Sequence, residues 1–386
     1  MKVSINFEWN DVLRKNIERG TLDSNLEIYL RDIVRRLADT DIDQINWRGT
    51  IGGKATYPSN VLRPFNGGYL IEEKIEAEFH ENYDGLAIFV DECRKQNVSP
   101  WVWIDAFDGY FPGCEEDFFV RNPDALLQER KKTEGTFKRV LPGVPCYANE
   151  KVRDYKLDQM RELSGYGIDG ISYSLFNSHA VPYLGVGCLG GGIDALPYSY
   201  GFNPEIVAAY KERYNVDIIN EDFDIESWAT LQGEQFGDYL LMMRDLINEK
   251  NQKLSLVIRR DNHCAGAQYP TCYIGNTYKH WYDIGACDSL IIEGYNSSSV
   301  VIEESQNMVL GRPDIDWGLW HTIWTSWSEA QSPEKAEMII GNICDSGLFK
   351  EHLFHEVDTF ESGLQVNGLR SEAYALLKKW ISLLKS

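Results

Sequence analysis

Short runs of β-branched and aromatic residues alternate with longer stretches in which apolar positions recur every three or four residues, the pattern of βα units around a parallel sheet. Eight runs predict strands at 3–7, 42–47, 98–104, 168–175, 253–259, 287–292, 318–324 and 348–355. Helical periodicity falls between them at 24–37, 85–95, 152–163, 205–214, 225–249, 278–283, 303–308 and 333–344, with a terminal helix at 372–384. Ser24 with Glu27 reads as a capping box, and Ser332-Pro333 sets a hydroxyl cap before a proline suited to the first helical position. In the terminal stretch Leu376, Leu377, Trp380, Leu383 and Leu384 share a face that closes the barrel.

Eight alternating units predict an α/β fold, a single (β/α)8 TIM barrel spanning residues 1–386. Such a barrel needs about 31 residues per unit. The last four strand starts follow that spacing, so the surplus length sits in long loops after strands 2, 3 and 4. The glycine-rich span 185–201 within it reads as a substrate-facing loop.

Charge removes several functions. With 59 Asp+Glu against 38 Lys+Arg the net charge is −21, which repels nucleic acid and anionic lipid. No apolar run reaches the roughly 20 residues that cross a bilayer, and the first residues lead directly to acidic Glu8. Eight scattered cysteines read as reduced, partly buried residues, so the expected compartment is the cytoplasm. No cofactor is expected, and no clustered ligand pattern for a metal appears.

In a barrel of this type chemistry sits at the carboxyl ends of the strands. Glu8, Asp105, Asp261, Glu293 and Glu356 end five different strands there, and glycosidic cleavage requires one carboxylic acid to protonate the leaving oxygen and one carboxylate to attack or to activate water. Glu293 shares a face with Ile291 and Tyr295, and Asp105 shares one with Trp101 and Trp103. Strands six and eight bring Glu293 and Glu356 within range of the roughly 5–9.5 Å of a glycosidase pair. Glu293 is therefore the expected general acid and Glu356 the nucleophile or base, with Asp261 and Asp105 as substitutes.

Flat aromatic faces beside polar groups suit a sugar ring. Trp47, Arg48, Trp103, Tyr173, Asn177, His179, Arg260, His263, Tyr295 and Trp324 are the expected substrate-binding residues. Arg48, Lys54, Arg259 and Arg260 suit an anionic or heavily hydroxylated sugar, unless they pair with Asp261, Glu293 or Asp105. The expected partner is thus a carbohydrate. The function read from these residues is a glycoside hydrolase cleaving an oligo- or polysaccharide; a catalytically silent carbohydrate-binding barrel and a metal-assisted hydrolase are the alternatives.

The segment Gly201-Phe-Asn-Pro-Glu-Ile-Val-Ala-Ala-Tyr-Lys-Glu-Arg-Tyr-Asn-Val-Asp-Ile218, followed by Leu231-Gln-Gly-Glu-Gln-Phe236, resembles the glycosyl-hydrolase-like family 10. Ala87-Ile-Phe-Val-Asp-Glu-Cys-Arg-Lys-Gln96, Trp101-Val-Trp-Ile-Asp105, Tyr166-Gly-Ile-Asp-Gly-Ile-Ser-Tyr173 and Phe354-His-Glu-Val-Asp358 are similar in order and spacing. The resemblance implies a (β/α)8 barrel and carbohydrate cleavage without a cofactor. Many barrel glycosidases carry glutamates at the ends of strands four and seven; here those ends read Ser-Tyr-Ser-Leu-Phe-Asn-Ser-His and Trp-Thr-Ser-Trp, without the glutamate.

Overall fold

The computed structural model describes residues 1–20, 25–67, 71–107, 109, 116–130, 140–175, 200–258, 274, 277–294, 299–322, 332–362 and 370–386. Eight parallel strands form a closed barrel: β1 Lys2–Phe7, β2 Gln44–Arg48, β3 Ser99–Asp105, β4 Gly170–Ser174, β5 Lys253–Ile258, β6 Ser289–Gly294, β7 Trp317–His321 and β8 Glu351–Phe354. Every run predicted from the pattern is a barrel strand. Each pairs with its sequence neighbours, and β8 closes on β1 with Lys2 opposite Glu351 and Ile5 opposite Phe354.

The period of two along each strand sorts the side chains into two layers. Val3, Ile5 and Phe7 on β1, with Ile45 and Trp47 on β2, point outward into the main core under the helices. The alternate positions fill the barrel. Trp103, Val257, Ile291, Trp320 and Leu353 form a separate apolar plug there. Beneath it the filling is polar: Asn46 Nδ2 donates to Asn6 Oδ1 at 2.9 Å, and Ser4 Oγ to Glu351 Oε1 at 2.9 Å.

The surplus length after β2, β3 and β4 builds extra elements. After β2 come a small hairpin, Thr50–Ile51 with Lys54–Ala55, and the helices Ile71–Asn82 and Gly85–Lys95. After β3 come the helix Asp117–Arg121 and a second hairpin, Leu126–Gln128 with Val140–Pro145. The helices Pro204–Tyr214 and Ile225–Asn248 follow β4. Most of the glycine-rich span lies outside the described residues; its end, Gly201, is held by hydrogen bonds to Gln128 O and from Trp228 Nε1.

The Ser332 cap is present, its hydroxyl accepting from Lys335 N. The Ser24 capping box is replaced: the helix Leu26–Ala38 is capped by Asn25, whose side chain accepts from Ile28 N at 3.1 Å, and Ser24 lies outside the described residues. The helix at 303–308 extends to Ser299–Gly311. The terminal helix Arg370–Lys385 buries Leu377, Trp380 and Leu384 as expected, whereas Leu383 is exposed. Among the described residues no helix is long and apolar enough to cross a membrane.

Two of the longer helices were not expected from the pattern. Trp9–Arg19 starts directly off β1, leaving no turn residues to mark it. Ile71–Asn82 buries Glu72, Glu73, Glu76 and His80, so its inward face looks polar. These two helices pack on one another beside the barrel mouth. Both carry side chains to the site described next.

Candidate active site

Inward parity places Glu8 just past β1, Arg48 at the end of β2, Asp105 at the end of β3 and Glu293 near the end of β6, all buried. Arg48 is the hinge of the arrangement. Its Nη1 donates to Glu8 Oε2, its Nη2 to Asp105 Oδ2 at 2.9 Å and its Nε to Thr50 O at 3.1 Å. The guanidinium carbon lies 4.5 Å from the centroid of Trp103, a cation–π contact in a site shielded from water. Trp103 meets Trp320 edge to face at 5.7 Å, and Trp320 meets His355 at 5.4 Å. The floor of the mouth is therefore aromatic and its rim charged.

A second group of carboxyls stands where β8 gives way to the helix Asp358–Ser362 and faces the start of the helix Trp9–Arg19. Ligand oxygens of Glu8, Asp11 and Glu356 lie within 4.8 Å of one another. Asp11 pairs with Arg14 at 2.7 Å, and its carboxyl stands beside those of Glu356 and Glu8. Carboxyls crowded this closely disfavour one another's ionisation. Burial, then Asp11, Asp358 and Glu8, hold the Glu356 carboxyl well above the usual carboxylate range. Burial and Asp11 push Asp358 up to about 7 against the opposing pull of Arg14 and Lys15. Glu76, reaching in from Ile71–Asn82, is raised by burial and by Glu8 and Asp11. His355 Nε2 stands 3.4 Å from Glu356 Oε1, and burial lowers this imidazole to about 4, so it is neutral near pH 7. The site thus combines a carboxyl pushed toward its protonated form, Glu356, with an ion-paired group, Glu8–Arg48–Asp105.

Of the expected site residues, the structure brings Arg48, Trp103, Asp105, Glu293 and Glu356 to the inside or the mouth of the barrel. Two expectations are corrected. Trp47 lies on the outer face of β2, packed on Phe7 and Phe89, with its Nε1 donating to Thr56 Oγ1 at 3.0 Å. Tyr173 lies on the outer face of β4, where its hydroxyl meets those of Tyr147 at 2.7 Å and Tyr239 at 3.3 Å. Both have the wrong strand parity to face a substrate. The anionic-sugar argument loses Arg48 and Lys54, since Arg48 is committed to Glu8 and Asp105 and Lys54 lies 3.5 Å from Asp117. Asn177, His179, Arg260, Asp261, His263, Tyr295 and Trp324 lie outside the described residues.

Asp11, Arg14, Glu76 and Trp320 belong to the site without having been expected there. The first two were legible in principle. From Glu8, Asp11 and Arg14 follow at successive intervals of three, which is one face of a helix leaving the strand end.

No family model matches the chain, and no curated protein matches it in sequence. The resemblance to the glycosyl-hydrolase-like family 10 is therefore not confirmed. Solved structures do share the architecture. The glycoside hydrolase domain of PgaB (BpsB) from Bordetella bronchiseptica is similar with a TM-score of 0.59 at 11% identity, over 96% of this chain and 97% of that one. The catalytic domain of β-amylase from Paenibacillus polymyxa is similar with a TM-score of 0.58 at 10% identity, over 96% and 98%. β-Galactosidase from Marinomonas ef1 follows with 0.53 at 10% identity, over all of this chain and 60% of that one. This chain has the barrel of these glycoside hydrolases.

Proposed function

We propose that the protein is a glycoside hydrolase whose general acid is Glu356. The observation that carries this reading is the crowding of Glu356 by Asp11, Asp358 and Glu8, which favours the protonated form of a largely buried carboxyl at the barrel mouth. A proton held there serves a departing glycosidic oxygen. The barrel shared with the glycoside hydrolase domain of PgaB and with β-amylase supports the same class.

The roles expected from sequence are thereby exchanged. Glu293, on the inner face of β6 and opposite Trp320 in register, is assigned the nucleophile or base, with Asp105 as its substitute. Arg48 orients Asp105 and Glu8 rather than gripping an anionic substrate. Trp103 and Trp320 supply the apolar floor, and Asn177, His179, Arg260, Asp261, His263, Tyr295 and Trp324 are assigned sugar contacts by their place after the strands. The chemistry proposed is acid–base and requires no cofactor. Release of reducing ends from a panel of neutral, amino and uronate oligosaccharides tests the class. Cleavage of at least one linkage, unchanged by a chelator, is expected; binding without cleavage across the panel would instead mark a silent barrel.

A further inference from the structure

The opposite, amino-terminal end of the barrel contains a cavity of about 600 Å³, within the size range of small-molecule sites. Its walls come from the starts of four strands, Lys2, Gln44, Ser99 and Lys253, and from the turns 164–169 and 250–252. In a chain of charge −21 this lining carries four cations, Lys2, Arg94, Lys250 and Lys253, against one carboxylate, Asp169.

Most of the wall is already fixed by its own bonds. Arg94 donates to both Asp169 oxygens and to Gly167 O, and Ser99 Oγ donates to Asp169 Oδ2 at 2.6 Å while accepting from Trp101 Nε1 at 3.0 Å. Lys2 Nζ stands 4.4 Å over the Trp101 ring and 3.1 Å from Glu351. Glycine at 170 is what lets Trp101 lie there, because a Cβ would come within 2.7 Å of its ring and 2.6 Å of Lys253 O. Lys250 and Lys253 differ from the rest. Among the described residues neither has a carboxylate partner; the turn that presents them has Asn251 in the left-handed region at φ 58° and Lys253 N bonded to Asp169 O at 3.0 Å. Gln44 Oε1 and Gln252 Oε1, buried in the same wall, have no hydrogen-bond partner among the described residues.

We propose that this cavity is a second binding site, separate from the barrel mouth, for the phosphomonoester of a small polyol such as a sugar phosphate. The two uncommitted lysines match a phosphate dianion as point charges, whereas the one arginine, the group suited to gripping a carboxylate, is already used by Asp169. The glutamine oxygens are acceptors for the polyol's hydroxyl groups. The proposal does not depend on the glycosidase reading.

Calorimetric titration of the full chain with glucose 6-phosphate tests it, using glucose, inorganic phosphate and glucuronate as comparisons. Saturable binding is expected in the wild type and equally in Glu356→Gln, which touches only the other end. Binding should weaken at least about tenfold in Lys250→Glu/Lys253→Glu, whose exposed positions leave folding intact, and should fall as salt rises. Inorganic phosphate should bind about tenfold more weakly and glucose not at all. No saturation by about 10 mM, unchanged affinity in the double variant, or equal affinity for glucuronate would each overturn the proposal.

Discussion

At the scale of single residues, parity decided what the sequence could reveal. Arg48 and Trp47 are neighbours at one strand end, yet one enters the barrel and the other the helix layer. Nothing in their identity announces which, because a buried arginine facing two carboxylates and a tryptophan facing phenylalanines are each locally consistent. Removing Arg48 leaves Glu8 and Asp105 buried without their shared cation. Arg48→Ala should therefore destabilise the fold by about 3–5 kcal/mol, read as a lower urea midpoint, and Arg48→Lys should recover only part of it because an ammonium cannot fork between two carboxylates. Asp358 gives a pH-dependent prediction. Its carboxyl is about 7 in the folded state and about 3.9 unfolded, so between these values the native state holds more protons and loses stability as pH rises. Asp358→Asn should match the wild type near pH 4, gain on it through pH 7 and level off above. A gap that stayed constant with pH would contradict the crowding described around Glu356.

At the scale of elements, strands were legible because each is a short run rich in β-branched, aromatic or other apolar residues with a buried outer face, and all eight lie where the pattern put them. Helices were legible only where their buried face is apolar. Ile71–Asn82 buries carboxylates and a histidine where it packs on Trp9–Arg19 beside the barrel mouth, and this polar buried face hides the element from periodicity. Glycine positions on the long helix Ile225–Asn248 tell a complementary story. A methyl at Gly233 would lie 2.6 Å from Thr277 Cβ, and at Gly237 2.9 Å from the Trp281 ring, so the helix is notched to receive Tyr278–Asp283. In an exposed helix Gly→Ala stabilises by about 1 kcal/mol, but overpacking costs about 1–3 kcal/mol. Gly233→Ala should therefore be net destabilising in thermal melts, with partial recovery in Gly233→Ala/Thr277→Ala. A stabilised single variant would show that the two helices do not meet this closely.

On the scale of the whole molecule, the closed barrel divides charge between its ends. The carboxyl-end mouth concentrates acidic groups around an aromatic floor, and the amino end gathers cations in a strongly acidic chain. The pattern of the sequence carried the barrel and the supply of strand-end carboxylates. It did not carry their protonation, which depends on Asp11 and Asp358 arriving from helices on either side of the β1–β8 closure, far apart in the chain. The central claim is that this closure creates an acid at Glu356. The most direct measurement is kcat of Glu356→Gln on whichever oligosaccharide the wild type cleaves, with circular dichroism confirming the fold. The account predicts a loss of about 10²–10⁴-fold and disappearance of the alkaline limb of the pH profile. Activity within about tenfold of wild type, with that limb intact, would contradict it.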